Sequence, residues 1–216
     1  MLNFKRGMNM EFNDYFVTIP LLKTDRLTLR SFCSDDIDTY LGIIHDPQVQ
    51  QFLGGGVNLF NKEPHISNWL NNINGRLLKT KTVITWCVEL TKENKVIGRI
   101  DLGGFAKKSM AEISYYLSPE YWGMGFATEA VKEVTHFGFD ALRLHRIQAL
   151  VMSENTPSIK VLKKAGFSEE GILKKYLIGK EFHDTVMLAA IREQNLNYAL
   201  GTTIGIQPFK NAPPSG

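Results

Sequence analysis

The clearest chemical signal in the sequence is the turn WGMGFAT at residues 122–128, which stands directly before an amphipathic stretch. A helix that begins here leaves backbone N–H groups without partners and directs the positive end of its dipole at the turn. Glycines at 123 and 125 allow a ligand to approach the backbone closely. The turn therefore predicts a diphosphate site, with a plain strand-to-helix turn as the alternative. It is neither a GxxxxGK[ST] loop nor a dinucleotide fingerprint with a third glycine.

A second polar group follows in SENTPSIKVLKKAGF, residues 153–167. Asn155 and Ser158 stand at the start of a predicted short helix, where their side chains could bind a ligand or only cap the helix. This helix start and the one near Gly125 follow consecutive strands of the predicted sheet. The combination is more informative than either part, because both starts then border one cleft.

Composition bounds the remaining possibilities. The chain has 216 residues and ordinary apolar content, which favours one large domain. Its net charge of +3 is too small to be typical of a nucleic-acid-binding protein. Cys33 and Cys87 stand far apart, which disfavours a disulfide framework or a zinc site and fits a reducing cytoplasm. No apolar run has the length of a membrane span, and the N-terminus does not resemble a signal peptide. A cytoplasmic protein without metal is the expectation.

The periodicity of the chain predicts one mixed sheet with helices on both faces, an α/β (α+β) fold. Alternating or apolar runs predict strands at 26–32, 83–90, 96–102, 111–117, 146–152, 172–178 and 185–191. Helical spacing predicts helices between Ser34 and Asp46, over 64–78, from Ala127, and from a Thr156 cap to Gly166. We expect an extension at 1–20, a domain at 21–195 and a tail at 196–216.

Three segments together resemble the GNAT superfamily of acetyltransferases: TDRLTLRSFCSDDIDTYLGIIHDPQVQQFLG, AEISYYLSPEYWGMGFATEA and LHRIQALVMSENTPSIKVLKKAGFSEEGILKKY. They are most similar to its RimJ/RimL-type branch, the ribosomal-protein-alanine N-acetyltransferases. The likeness spans residues 21–192. It implies a mostly antiparallel sheet of about seven strands, with acetyl-CoA in a V-shaped split between strands 111–117 and 146–152.

The resemblance also implies roles for individual residues. Backbone groups of Leu117 and Ser118 would pair with the pantetheine arm, Asn155 would contact the pantetheine or the thioester, and Lys163 or Lys164 would lie near the nucleotide. The diphosphate would be held by Trp122, Gly123, Met124, Gly125, Phe126, Ala127 and Thr128.

The sequence departs from the family at three positions. Trp122 replaces a glutamine or arginine of the wider superfamily, and Met124 stands where a basic or polar residue is more usual. Because the cradle is mostly backbone, neither change should abolish cofactor binding. Leu162 occupies the place of the tyrosine that protonates the leaving thiolate in many relatives, which excludes a tyrosine acid there.

The resemblance makes Ser158 the candidate acid for the coenzyme A thiolate and a contact of the cofactor. It makes Glu170 the candidate base, and Glu112 is the alternative, because its strand often supplies a base elsewhere in the superfamily. As alternatives, Ser158 is only a polar residue of the helix start, and Glu112 or Glu170 is only a solvated carboxylate on a strand. Tyr115 and Tyr116 are interpreted as packing residues, one of them lining the acceptor tunnel.

The amine acceptor is constrained by proton chemistry. An α-amine is roughly 10% neutral at pH 7, and a lysine only about 0.04%. A site without an obvious strong base therefore favours an α-amine, and a peptide or protein N-terminus is the expected acceptor. A polyamine, antibiotic or amino acid acceptor and a non-catalytic acyl-CoA-binding module are the alternatives. The expected partners are acetyl-CoA and the amine, without nucleic acid or membrane, in a monomer or homodimer.

Overall fold

The computed structural model describes residues 18–53, 80–106 and 109–192. The strands of these ranges are β1 (Leu22–Lys23), β2 (Leu27–Arg30), β3 (Val83–Leu90), β4 (Lys95–Ala106), β5 (Met110–Leu117), β6 (Arg146–Met152), β7 (Ser168–Ile178) and β8 (Glu181–Ile191). The helices of the same ranges are α1 (Ile37–Ile44), α2 (Pro47–Gln50), α3 (Phe126–Asp140) and α4 (Thr156–Lys164), with 3-10 turns at Ser34–Asp36 and Pro119–Tyr121. One sheet of 8 strands results, in the order β1-β2-β3-β4-β5-β6-β8-β7.

The described ranges contain one parallel pair of strands, β5 and β6, and the sheet is split between these two strands. Pairing of β5 with β6 runs from Met110↔Arg146 to Glu112↔Gln148 and then ends. Both strands continue beyond that point, β5 to Leu117 and β6 to Met152. Strand edges without a partner present free N–H and C=O groups. The predicted V-shaped split is therefore confirmed, and it exposes main-chain hydrogen-bonding groups.

Helices cover both faces of the sheet, as predicted. On one face α3 and α4 bury Val134 and Leu162 in the cluster that contains Trp86. On the opposite face α1 buries Tyr40 in the cluster that contains Cys87. Trp86 and Cys87 are successive residues of β3, and successive side chains of a strand point to opposite faces. This alternation assigns α3 and α4 to one layer and α1 to the other.

Several predicted elements have shifted bounds. The predictions for 83–90 and 146–152 are confirmed, but β4 runs to Ala106 instead of 102 and β7 begins at Ser168 instead of 172. The eighth strand, β1, was missed because two residues show no periodicity. The predicted helix at 64–78, the tail at 196–216 and most of the extension at 1–20 lie outside the described residues.

The end of that predicted extension joins the core. Ile19 packs into the cluster beneath α3, and the carbonyl oxygen of Pro20 accepts a 2.7 Å hydrogen bond from the Trp86 indole. None of the described helices combines the length and apolar character that crossing a bilayer requires.

Gly98 keeps β4 and β5 in contact beside the split. A Cβ at this position would lie 2.3 Å from the carbonyl oxygen of Tyr116 and 2.5 Å from Leu117 Cδ2. We expect Gly98→Ala to lower the free energy of unfolding by about 1–3 kcal/mol, because the neighbouring strand must move. Gly42→Ala is the control, since no atom of the described residues lies within 4 Å of the would-be Cβ of this α1 glycine, and the variant should gain up to ~1 kcal/mol. Denaturant unfolding measures the free energy of unfolding of both variants. Equal changes in Gly98→Ala and Gly42→Ala would contradict a close contact at Gly98.

Candidate active site

A cavity of about 330 Å³ opens at the split, between the end of β5 and the first turns of α3 and α4. Eight of the predicted cofactor residues line it, namely Leu117, Trp122, Gly123, Gly125, Ala127, Thr128, Asn155 and Ser158. Ser118, Met124, Phe126 and Lys163 are not among its lining residues. The two predicted helix starts therefore border the same cavity, as the strand order required.

The start of α3 presents unpaired amides to this cavity. Gly125 is the N-cap residue with φ 83°, Gly123 has φ 77°, and no side chain caps the helix. Among the described residues, no acceptor bonds the N–H groups of Phe126, Ala127 or Thr128. The first backbone bond of the helix is donated by Glu129 to the Gly125 carbonyl. Both glycines adopt left-handed backbone conformations that disfavour side chains, so the turn depends on glycine.

The edge of β5 supplies one more main-chain donor. The Ser118 N–H donates to Ile97 of β4 at 2.8 Å, and the Ser118 carbonyl accepts from Tyr121. Both backbone groups of Ser118 are therefore committed within the protein. Because backbone groups alternate sides along an antiparallel pair, the N–H of Leu117 points away from β4 and into the split. The Leu117 carbonyl accepts from the Trp122 indole at 2.8 Å, which leaves the N–H as the group for a ligand.

The start of α4 joins Asn155, Ser158 and Tyr115 into one cluster. Asn155, rather than the predicted Thr156, caps the helix, and its Oδ1 accepts from the Ser158 N–H at 3.2 Å. The Tyr115 hydroxyl lies 2.9 Å from Ser158 Oγ and can also donate to the Ser158 carbonyl at 3.2 Å. Burial raises the pKa of Tyr115 to about 12, against a smaller lowering by the Ser158 hydrogen bond. Tyr115 is therefore protonated at neutral pH and serves as a fixed partner of Ser158.

The sequence predicts Tyr115 as a packing residue or as part of the tunnel lining, but it does not predict the hydrogen bond of Tyr115 to Ser158. The period-two pattern of β5 could have found this contact, because Tyr115 and Leu117 share the face that α4 covers. Tyr116 lies on the other face, where its hydroxyl hydrogen-bonds that of Tyr40. Leu162 is fully buried in the core.

The two candidate bases belong to a different network, on the opposite face from Tyr115. Arg146 donates to Glu170 through both terminal nitrogens, one at 2.8 Å, and to Gln148 Oε1 at 3.2 Å. This guanidinium holds the pKa of Glu170 below its usual range. Glu112 lies across the strand pair from Gln148, and burial raises its pKa against a smaller lowering by the Gln148 hydrogen bond. Neither carboxylate lines the cavity that contains Ser158.

Positive charge predominates around the cavity. Lys160 and Lys164 line it, whereas the Lys163 ammonium forms a 2.8 Å ion pair with Glu169. No carboxylate of the described residues is among the lining groups. Nor do the described residues contain a group of three or more His, Cys, Asp or Glu side chains arranged for a metal ion. The electrostatics of the cavity thus suit an anionic ligand.

Comparisons with known proteins agree with this geometry. The family model of the acetyltransferase (GNAT) domain matches residues 26–168. The uncharacterized N-acetyltransferase YoaA of Bacillus subtilis is 35% identical over 159 residues, which cover 73% of this chain and 88% of that protein. The spermidine N(1)-acetyltransferase of Escherichia coli is 33% identical over 87 residues, or 40% of this chain and 47% of that protein.

A solved structure of RimJ from Mycobacterium smegmatis in complex with CoA-disulfide has 26% sequence identity and a TM-score of 0.68. The match covers 83% of this chain and 89% of that one. The matched family domain includes β2 to α4, and therefore the split, the unpaired amides of α3 and the Ser158 cluster. The chain accordingly belongs to the GNAT family and is an acetyl-CoA-dependent N-acetyltransferase.

Proposed function

We propose that the chain acetylates the α-amine of a peptide or protein N-terminus. The observation that carries this proposal is the composition of the cavity, in which aromatic and apolar groups predominate and no carboxylate of the described residues occurs. A polyamine carries several positive charges, and a lining without carboxylates offers them no partner. An α-amine loses its proton at a much lower pH than a lysine does, so it needs less help from the protein. The similarity to RimJ also supports this acceptor class.

The described residues fit acetyl-CoA in four places. The unpaired amides of Phe126, Ala127 and Thr128, preceded by two left-handed glycines, suit the diphosphate. The N–H of Leu117 suits the thioester carbonyl, and the side-chain NH₂ of Asn155 is not used by its cap and suits the pantetheine. Lys160 and Lys164 suit the phosphate on the nucleotide, a role for which the sequence analysis named Lys163 or Lys164.

Acetyl-CoA supplies an acetyl thioester, whose C–S bond breaks as the amine nitrogen forms a C–N bond. The Leu117 N–H donates to the thioester oxygen as negative charge builds up there, which is effective in a site that excludes water. Ser158 Oγ gives its proton to the departing sulfur, and Tyr115 can replace that proton along their 2.9 Å hydrogen bond. Of the two candidate bases we favour Glu112, because its raised pKa makes it the better proton acceptor. Because Glu112 does not line the cavity, this assignment requires water to carry the proton from the amine to it.

The Glu112 assignment predicts opposite effects on stability and activity. The pKa of Glu112 is higher in the folded chain than in the unfolded one. Ionised Glu112 therefore lowers the free energy of unfolding once the pH exceeds its pKa in the unfolded chain. Glu112→Gln should therefore stabilise the fold at pH 7, with the gain vanishing below about pH 4. The same substitution should lower kcat/KM by about 100-fold if the carboxylate accepts the proton.

Thermal unfolding at both pH values and steady-state kinetics check this prediction. Glu170→Gln is the matched control, because it removes the partner of Arg146 and should bring no gain in stability. A Glu112→Gln enzyme that is more stable and fully active would identify Glu112 as a strand carboxylate without a role in catalysis.

The acceptor itself is tested by competition between amines. With acetyl-CoA as donor, kcat/KM would be measured for a peptide that begins with alanine, the same peptide with a blocked N-terminus and an internal lysine, free lysine, and spermidine. We expect the free N-terminus to give the highest value, because a larger fraction of it is neutral at pH 7. A clear preference for spermidine would overturn the proposal.

A polyamine is the second candidate acceptor. Asp101 and Glu112 line a second cavity of about 330 Å³ on the opposite face of β4 and β5, where they could bind a cationic chain. The match to the spermidine N(1)-acetyltransferase supports this candidate. Arg99 already pairs with Asp101 at 2.9 Å, which weakens the attraction of Asp101 for a second cation.

We also propose a cytoplasmic location, with which the unpaired Cys33 and Cys87 are compatible.

A further inference from the structure

Arg26 lies against the outer side of the glycine turn that precedes α3. Its Nη1 donates to the carbonyl oxygen of Met124 at 3.0 Å, and its guanidinium stacks over the Phe126 ring at 4.2 Å from the centroid. Nε and Nη2 both bond Glu129 Oε2 at 2.6 Å. One side chain from the β1–β2 segment thus contacts the turn, the first residue of α3 and its first-turn carboxylate.

The bond to Met124 orients the next amide. In a trans peptide the C=O of one residue and the N–H of the following residue point in opposite directions. Arg26 holds the Met124 carbonyl toward β2, so the Gly125 N–H of the same peptide points the other way, toward the cavity that Gly125 lines. Glycine torsions are permissive, and this peptide therefore needs an external constraint. Nη2 of Arg26 lies 3.5 Å from the place of a Cβ on Gly125, close enough to restrict the turn.

Arg26 also neutralises a charge that would oppose an anion. Glu129 belongs to the first turn of α3, beside the unpaired amides. Partial burial would raise its pKa, but the hydrogen bonds from Thr24 and Arg26 outweigh this effect and lower it. The carboxylate is therefore ionised at neutral pH, and without the guanidinium it would repel a diphosphate at the helix start.

We infer that Arg26 is a positioning residue for coenzyme A, which aims the Gly125 amide at the diphosphate and cancels the charge of Glu129. It acts from outside the glycine turn, at a distance of 98 residues in sequence from Met124. The inference rests on the diphosphate position proposed above and is independent of the amine acceptor.

The test compares ligands with and without the diphosphate. Calorimetry would measure the affinity of the Arg26→Gln protein for coenzyme A and for pantetheine, which lacks the phosphates. We expect coenzyme A binding to weaken by about tenfold, as for the loss of one charge-assisted hydrogen bond, and pantetheine binding to stay unchanged. Lys132→Gln is the control, since it removes the same charge from an exposed position of α3. Its coenzyme A affinity should equal that of the parent.

Arg26→Lys separates geometry from charge. Lysine keeps the charge but cannot bond the Met124 carbonyl and Glu129 in the forked arrangement. We expect this variant to bind coenzyme A almost as weakly as Arg26→Gln, and it can be measured even if the glutamine variant proves unstable. Full recovery by lysine, or equal loss of pantetheine affinity in Arg26→Gln, would overturn the inference.

The same titrations distinguish this inference from the proposed site. If Gly125→Val weakens coenzyme A binding while Arg26→Gln does not, the role of Arg26 is wrong and the diphosphate position stands. If neither variant weakens binding, the diphosphate lies elsewhere and the proposed site itself fails.

Discussion

Gly125→Val is expected to weaken coenzyme A binding by about 100-fold, which corresponds to the loss of roughly two hydrogen bonds to a charged group. Gly125 has φ 83°, a conformation that a β-branched residue strongly disfavours. The turn must therefore shift. The Gly125 N–H and the first amides of α3 then no longer converge on the cavity. Calorimetric titration of the purified variant with coenzyme A measures the effect.

Gly166→Val provides the matched control for backbone strain. Gly166 also has a positive φ, 95°, and nothing lies within 4 Å of its would-be Cβ. It lies two residues beyond Lys164 and does not itself line the cavity, so valine should lower the free energy of unfolding by about 1–2 kcal/mol and change coenzyme A affinity far less than Gly125→Val does. Equal weakening of binding by both substitutions would show that Gly125 acts only through general stability. Unchanged binding in Gly125→Val would remove the turn from the cofactor site.

Local sequence patterns predicted most of the sheet because most of its strands alternate polar and apolar residues or form continuous apolar segments. Strands 83–90 and 146–152 have these patterns, and their predicted bounds are confirmed. The pattern fails for β1, which is too short, and for the end of β4, where Gly103 and Gly104 precede a register shift. Glycines weaken the alternation that periodicity relies on, and the strand continues there because its neighbour pairs with it.

The donor-rich turn at the start of α3 was predictable for a related reason. Its donors are backbone amides, and helix termini leave such amides unpaired whatever the side chains are. The hydrogen bonds of Arg26 and Tyr115 were missed because their partners are distant in sequence, 103 residues away for Glu129 and 43 for Ser158. The choice between Glu112 and Glu170 stayed open for the same reason. Only the folded chain brings Arg146 to Glu170 and lowers its pKa.

Ser158→Ala is expected to lower kcat by about 100-fold while changing the affinity for coenzyme A by less than about threefold. In the proposed mechanism the side chain of Ser158 contributes a proton to the departing sulfur, whereas its N–H, which remains in alanine, keeps the bond to Asn155. The α4 cap therefore survives the substitution. Single-turnover release of coenzyme A, measured with the preferred amine, reports the chemical step directly, and a loss confined to KM would contradict an acid role.

Tyr115→Phe tests whether the two hydroxyls act as one unit. If Tyr115 only replaces the proton of Ser158, its removal should cost about tenfold in kcat, and the double variant should be no slower than Ser158→Ala alone. The pKa of Tyr115 near 12 keeps it protonated across the assay range, so neither variant should move the alkaline limb of the pH profile below about pH 11. The acid limb should also stay in place, because the proposed base, Glu112, lies on the opposite face of the sheet. Independent, multiplicative losses would instead mean that Tyr115 and Ser158 contact the substrates separately.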